Sequence, residues 1–178
     1  MTNISAAEEL DSCAYLLLAG IGEPEENSLR LVLDEALVLE REESLEVNGV
    51  SLTGIRPIEV THGSRRFEVL WGTYITYAVH NESYCHQDDT EVWAGERLRV
   101  YSRSKFLEFT AAATFASDGY PGPFKHYRLI CGNHVIDVAS EHAPVVTRLA
   151  RNNSSGSKSL RGSAQFGRQR ARNFPCDH

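Results

Sequence analysis

The sequence predicts an α+β protein: a largely antiparallel sheet, two or three packed helices and a disordered basic C-terminal tail. Three observations support this fold class. Residues 67–79 alternate apolar with smaller or polar side chains, the two-residue period of a strand. Residues 126–139 form two such runs around Gly132-Asn133. Apolar residues recur at helical spacing near the N-terminus and after Ser104, so helices are expected to pack on the sheet.

The first predicted element is a helix over residues 6–19. Ser5 and Glu8 have the spacing of a capping box, in which each side chain accepts a hydrogen bond from the other residue's backbone N–H. Leu10, Cys13 and Leu17 fall on one helical face, and Gly20 follows as a stop signal.

Residues 29–39 fit either a strand or a helix, and we favour a strand. Leucine stands at five odd-numbered positions, interrupted by Glu35, and Asp34-Glu35 is a candidate bend between two short strands. Further on, Asn48-Gly49 predicts a small hairpin between residues 45–47 and 50–52, since both residues tolerate the positive φ of a tight turn.

The central part of the chain has the clearest pattern. Residues 67–79 predict one long strand, or two strands bent at Gly72, with Trp71 and the other odd-numbered positions on the core. Residues 97–102 predict another strand. Ser104 is then the expected N-cap of a helix over 104–115, because its hydroxyl can accept from an unpaired first-turn N–H.

The hairpin over residues 126–139 has a predicted register. With Gly132-Asn133 as a two-residue turn of positive φ, Cys131 lies opposite His134 and Arg128 opposite Asp137. One face is then apolar and the other carries a cross-strand charge pair. The apolar face consists of Tyr127, Leu129, Ile136 and Val138.

Charge divides the chain into two parts. Residues 1–147 hold 11 Lys and Arg against 23 Asp and Glu, a net charge of −12, and are predicted to form a single domain. Residues 148–178 hold 7 against 1, a net charge of +6, and their Ser- and Gly-rich composition predicts disorder. The four Cys lie far apart, and acidic residues precede the apolar run at 13–21, so we expect reduced thiols, no membrane segment and a cytoplasmic protein.

A metal site is the first chemical hypothesis. Cys85 and His86 lie in one loop, and Cys131 and His134 flank the hairpin tip, which together supply ligand types that zinc takes. The spacing departs from that of zinc ribbons, and neighbouring residues do not easily face one ion. A Cys packed at a turn beside a polar loop explains the same residues, so we predict no metal and no cofactor.

A site for acid–base chemistry or ligand binding is the second hypothesis. His80, Glu82 and His86 share one face if the strand continues beyond residue 79, and His126 and Arg128 are expected at the same end of the sheet. A solvated loop at the end of a strand is the alternative. Neither a nucleophile elbow nor a phosphate-binding glycine motif occurs in the sequence.

Four segments resemble a set of small uncharacterised bacterial proteins. They are Tyr77-Ala-Val-His-Asn-Glu-Ser-Tyr84, Tyr101-Ser-Arg-Ser-Lys-Phe-Leu107, residues 114–127 and Asn133-His-Val-Ile-Asp137. The resemblance covers about residues 29–146 and leaves out the tail. It implies a bacterial cytoplasmic setting and no particular activity.

Two classes of function remain open. An acidic body with aromatic residues among carboxylates predicts a protein-binding module for a basic partner, such as an immunity-type inhibitor of a nuclease toxin. The alternative is a small enzyme or ligand-binding domain that uses the polar residues at one end of the sheet. The basic tail adds the expectation of weak, salt-sensitive contact with nucleic acid. No oligomeric state is predicted.

Overall fold

The predicted α+β class is wrong, since the protein is predominantly β. The computed structural model describes residues 4–86 and 88–151. In this part of the chain, two short helices, α1 (Ala6–Asp11) and α2 (Lys105–Ala113), accompany strands that pair antiparallel throughout. The strands are β1 (Leu16–Gly22), β2 (Leu29–Glu35), β3 (Leu37–Val38), β4 (Glu43–Val47), β5 (Val50–Ile55), β6 (Ile58–Glu59), β7 (Arg66–Trp71), β8 (Thr76–Asn81), β9 (Val92–Ala94), β10 (Leu98–Arg103), β11 (Lys125–Ile130), β12 (His134–Ser140) and β13 (Val145–Leu149).

Two sheets share one hydrophobic core. The first has the order β1-β2-β7-β13 and the second the order β8-β12-β11-β10-β9. The buried core draws side chains from both sheets, and Trp71 of the first meets Tyr127 of the second edge to face, with ring centroids 6.0 Å apart. Two smaller pairs, β3-β6 and β4-β5, lie outside these sheets. Each large sheet therefore has one apolar face against the other, which is how a two-layer β fold buries its core.

The helix predicted over residues 6–19 ends at Asp11, and residues 16–22 form a strand instead. The capping box is present as predicted, with Ser5 and Glu8 bonded to each other's backbone. The helix ends because groups distant in the sequence bind the backbone of the following residues. The Arg97 side chain donates to the carbonyls of Cys13 and Ala14, and β1 pairs with β2. The spacing of apolar residues alone did not distinguish the two structures, because a leucine-rich segment can satisfy a helical or a strand pattern.

The two ambiguous segments are both strands. Residues 29–39 contain two short strands, β2 and β3, as favoured, but the break falls at Ala36, because Asp34 and Glu35 belong to β2. The two-strand alternative for residues 67–79 is confirmed, and the chain passes between the two sheets over residues 72–75. Trp71 is buried as predicted, whereas Val79 is 43% exposed because β8 lies at a sheet edge.

The hairpin of β11 and β12 has the predicted register. Arg128 pairs with Asp137, and the Cys131 amide donates to the His134 carbonyl. The predicted positive φ at the tip is wrong for both Gly132 and Asn133. The tip contacts β1 instead: the Gly132 N–H donates to Leu16, and the Asn133 carboxamide bonds both backbone groups of Leu18. These contacts substitute for the turn geometry that an isolated hairpin would need.

The predicted hairpin over residues 45–52 and the predicted strand and helix over residues 97–115 are confirmed, with α2 ending at Ala113. Ser104 caps α2 by accepting from the Leu107 amide at 3.1 Å. Asn48 and Gly49 both have positive φ, 52° and 78°, at the turn between β4 and β5. Strand β13 includes Arg148 and Leu149, two residues assigned to the tail from composition. The predicted disorder of residues 152–178 lies outside the described residues. None of the described helices has the length and apolar character needed to cross a bilayer.

Candidate functional site

The candidate site lies on the outer face of the five-stranded sheet. Because successive strand residues point to opposite faces, Tyr127 and Ile136 enter the core while Arg128 and Asp137 face outward. Helix α2 covers part of this face, and its Phe106 ring lies 4.9 Å from the His126 ring. The outward polar groups of β11 and β12 are therefore partly enclosed.

A buried carboxylate, Asp137, is the centre of the site. Its Oδ1 accepts from His126 Nε2 and from Arg128 Nε, each at 2.6 Å, and its Oδ2 lies 3.0 Å from His80 Nε2. Asp137 is 2% exposed. Burial is the largest single influence on its pKa and raises it, but the hydrogen bonds from His126 and Arg128 together hold the pKa below its ordinary value. The group is thus a carboxylate at neutral pH.

His126 connects Asp137 to the start of α2. Its Nδ1 lies 2.8 Å from Ser104 Oγ, and its ring stacks on Tyr101 with centroids 4.3 Å apart. Ser104, His126 and Asp137 thus form a hydrogen-bonded row like that of a nucleophilic triad. Both Ser104 and His126 are buried, and the serine oxygen also caps α2. A substrate has no access to that hydroxyl, so we assign the row a structural role.

Arg128 occupies the middle of the outer face. Its Nη1 donates to Tyr101 Oη at 3.0 Å and lies 3.4 Å from Glu91 Oε2, and its guanidinium lies over the Tyr101 ring at 5.0 Å. The other oxygen of Glu91 accepts the Lys105 amide at the start of α2. Two carboxylates and an aromatic ring therefore hold the Arg128 guanidinium group in one orientation.

An open pocket of about 410 Å³ lies next to this network, at the β8 edge of the sheet. A 3-10 turn (Glu82–Tyr84) closes one side, with Asn81 as its N-cap. The lining consists of Val79, His80, Asn81, Tyr84, Cys85, His86, Arg128, Val135 and Asp137. The pocket therefore reaches Asp137, which is shielded on its other side by His126.

Three of the five residues predicted from the sequence line this pocket: His80, His86 and Arg128. His126 lies beneath it, on the far side of Asp137. Glu82 lies in the adjacent 3-10 turn and is not among the lining residues. The pairing of β8 with β12 brings His80 to Asp137, so the continuation of β8 to Asn81 is what joins these groups.

The four metal candidates lie in different environments. Cys85 and His86 are exposed at the pocket, whereas Cys131 is buried in the core, where burial raises its pKa to about 12. His134 pairs with Asn81 at the edge of the sheet. Among residues 4–86 and 88–151, no group of three or more His, Cys, Asp or Glu is arranged to hold a metal ion.

The pocket contains an acid–base pair but no activated nucleophile. His80 is half-exposed, and its Nε2 lies 3.0 Å from the Asp137 carboxylate, which is the arrangement of an imidazole beside a carboxylate in acid–base chemistry. Cys85 is exposed, but burial of its thiol and then the negative charge of Asp137 raise its pKa. A thiol of raised pKa is largely protonated at neutral pH, so Cys85 lacks the thiolate that nucleophilic catalysis needs.

Several residues of the site were not selected from the sequence. Asp137 was predicted as a cross-strand partner of Arg128, but its burial and its contact with His80 depend on a third strand. Tyr101, Ser104 and Glu91 reach the site from β10, the α2 cap and the loop before β9. A usable signal was the alternation of β10, which places Tyr101 on the same face as Arg99 and Arg103.

Comparison with known proteins gives no further guidance. No family model matches the chain, and neither a curated protein nor a solved structure matches it. The resemblance drawn from the sequence therefore stays a prediction.

Proposed function

We propose that the chain is a small ligand-binding domain whose pocket at the β8 edge takes a compound bearing a carboxylate or phosphate group. The observation that carries this proposal is the hydrogen-bonding capacity left in the pocket. Among the described residues, Asp137 is the one carboxylate of the lining, and its Oδ1 already accepts hydrogen bonds from His126 and Arg128, while His80 Nε2 lies 3.0 Å from its Oδ2. Part of the acceptor capacity of the lining is therefore already used.

Donor capacity, by contrast, remains. Within the described residues, Arg128 Nη2, the His86 ring and the Asn81 side-chain NH₂ group have no hydrogen-bond partner. His80 Nε2 lies 3.0 Å from Asp137 Oδ2, and its Nδ1 forms no hydrogen bond within the described residues. Guanidinium and imidazolium groups bind anionic oxygens through charge-assisted hydrogen bonds. An anionic group is thus the ligand that complements the pocket.

The test is a titration with inorganic phosphate and, separately, with succinate, followed by amide chemical shifts of the full chain. We expect shifts centred on residues 79–86 and 135–137. His80→Gln keeps a donor toward Asp137 but cannot become cationic, and losing one charge-assisted hydrogen bond of about 1.5–3 kcal/mol weakens binding about 10- to 100-fold. His62→Ala, at an exposed turn residue, is the matched control.

Two results would contradict the proposal. One is the absence of shifts in the pocket with either anion at pH 6. The other is an equal affinity for wild type, His80→Gln and His62→Ala, which would show that the anions bind elsewhere.

Protein binding is the second candidate function, and an exposed aromatic patch formed by Phe115 and Tyr120 supports it. Phe109, Phe115 and Tyr120 are 57%, 84% and 63% exposed, and the rings of Phe115 and Tyr120 stack with centroids 5.7 Å apart. Glu108 and Asp118 lie beside them in the chain, and neither has an ion pair in the described structure. Exposed aromatic groups among free carboxylates fit a partner with a basic, apolar surface.

Capture from the native host tests this second candidate. We expect one basic protein to be retained by wild type, to be released at high salt, and to bind again after purification. Phe115→Ala with Tyr120→Ala should abolish that binding, whereas Val145→Ala, a matched change at an exposed apolar residue of β13, should not. Equal retention by both variants, or retention of no basic protein, would refute an interface at the patch.

A further inference from the structure

The hairpin of β4 and β5, here called the acidic arm (residues 40–55), has an apolar face without a cover. Its strands pair with each other and belong to neither large sheet. Leu45 lies opposite Leu52, and Val50 is on the same face. These three side chains are 53%, 46% and 59% exposed. A two-stranded hairpin is marginally stable alone, so an apolar face of this kind is suited to bind another segment.

Carboxylates lie before and on this hairpin: Glu40 and Glu42 precede β4, and Glu46 points to the face opposite Leu45. Glu40, Glu42, Glu43 and Glu46 lie within seven residues of one another, and Arg41 is the one cation among them. Arg41 is occupied by Glu43 at 2.9 Å and by Glu59 at 2.6 Å. Glu40, Glu42 and Glu46 form no ion pair within the described residues. The occupant that fits is therefore a segment with cations next to apolar side chains.

The basic end of the chain begins close to the arm. Arg151 donates to the Thr61 carbonyl at 3.0 Å and to Asp34 at 2.6 Å. Thr61 is two residues from Glu59, which binds Arg41 at the base of the arm. The last described residue and the arm are therefore joined by a short series of contacts along one side of the molecule.

The segment that follows has the required chemistry. Residues 152–178, which lie outside the described residues, hold five Lys and Arg against one Asp. Lys158 and Arg161 flank Leu160, and Phe166 precedes Arg168. Lys158 is seven residues beyond Arg151, a span of at most about 24 Å when extended.

We propose that residues 152–178 bind the acidic arm of the same chain, with Leu160 or Phe166 on its apolar face and the cations on its free carboxylates. Attachment at Arg151 makes the contact intramolecular, which raises the effective concentration of the segment to about the millimolar range.

Paramagnetic broadening in the full chain tests this proposal. A nitroxide is attached at Ser163→Cys in a chain that also carries Cys85→Ser and Cys176→Ser. Cys13 and Cys131 are buried and remain unlabelled. We expect the amide signals of residues 43–55 to lose about half their intensity or more, whereas those of α2 are unaffected. In about 1 M salt, where the Debye length is about 3 Å, the signals should recover.

A charge variant and its matched control complete the test. Glu40→Gln, Glu42→Gln and Glu46→Gln together should restore the arm signals at low salt. Glu25→Gln with Glu26→Gln, two exposed carboxylates of another loop, should not. If the triple variant disrupts the arm, the salt titration of the parent chain still decides the question. Three results would each overturn the proposal. The first is arm signals that stay unbroadened, and the second is broadening that is unchanged by both salt and the triple variant. The third result is broadening in a mixture of isotope-labelled and nitroxide-labelled chains, which would show that the contact is between molecules.

Discussion

Asp137→Asn removes the negative charge at the centre of the outer-face network while keeping the side chain's shape. Asp137 accepts hydrogen bonds from His126 and Arg128 at 2.6 Å, His80 Nε2 lies 3.0 Å from its Oδ2, and it is 2% exposed. Removing one partner of a buried ion pair costs about 3–5 kcal/mol. The asparagine carbonyl retains one acceptor, worth about 1 kcal/mol. We therefore expect the free energy of unfolding to fall by about 3 kcal/mol at pH 7.

The pH dependence gives this prediction a second readout. Because the folded-state pKa of Asp137 is lowered, its contribution is present above its ordinary pKa and is lost as the pH falls through the folded value. The difference in stability between wild type and Asp137→Asn should therefore shrink between pH 5 and pH 3. Other carboxylates titrate in both proteins and cancel from the difference.

Urea unfolding at several pH values measures both quantities. Asp118→Asn is the control, since Asp118 is exposed, and its change should stay within about 0.5 kcal/mol. A loss below about 1 kcal/mol at pH 7 would refute the network's role in stability. So would a difference between wild type and Asp137→Asn that is the same at pH 3 and pH 7.

Two further predictions concern local structure. Asn133→Ala removes two hydrogen bonds to Leu18, at 2.9 and 3.1 Å, and should lower the free energy of unfolding by about 1–3 kcal/mol. Hydrogen exchange of the Leu18 amide should accelerate most, and an unchanged exchange rate would show that the hairpin tip does not stabilise β1. Gly49→Ala places a Cβ on a residue with a φ of 78°, which should destabilise the turn of the arm by about 1–2 kcal/mol. Hydrogen exchange in β4 and β5 should accelerate while the main melting temperature stays unchanged. A large fall in that melting temperature would mean that the arm unfolds cooperatively with the core.

The site was predictable from the sequence in part. The alternation of β11 and β12 and the charge pair of Arg128 with Asp137 follow from short-range pattern, and the structure has the same register. That Asp137 is buried and also lies beside His80 does not follow, because this requires β8 beside β12 and α2 over the outer face of the sheet. For Ser104, the role as N-cap of α2 follows from the adjacent sequence, whereas its contact with His126 depends on the tertiary structure.

Sequence alone determined the alternation of side chains along the strands, the Ser104 cap of α2 and the Asn48-Gly49 turn of the arm. It also determined how the two strands of the 126–139 hairpin pair. Each of these depends on neighbours within a few residues, where sterics and capping act directly. Tertiary structure decided that residues 16–22 are a strand, that the chain changes sheets after Trp71, and that the fold is predominantly β. The reason is that a leucine-rich segment satisfies helical and extended patterns alike, and only hydrogen-bond partners distant in the chain, such as β2 for β1 and Arg97 for the carbonyls of Cys13 and Ala14, select between them.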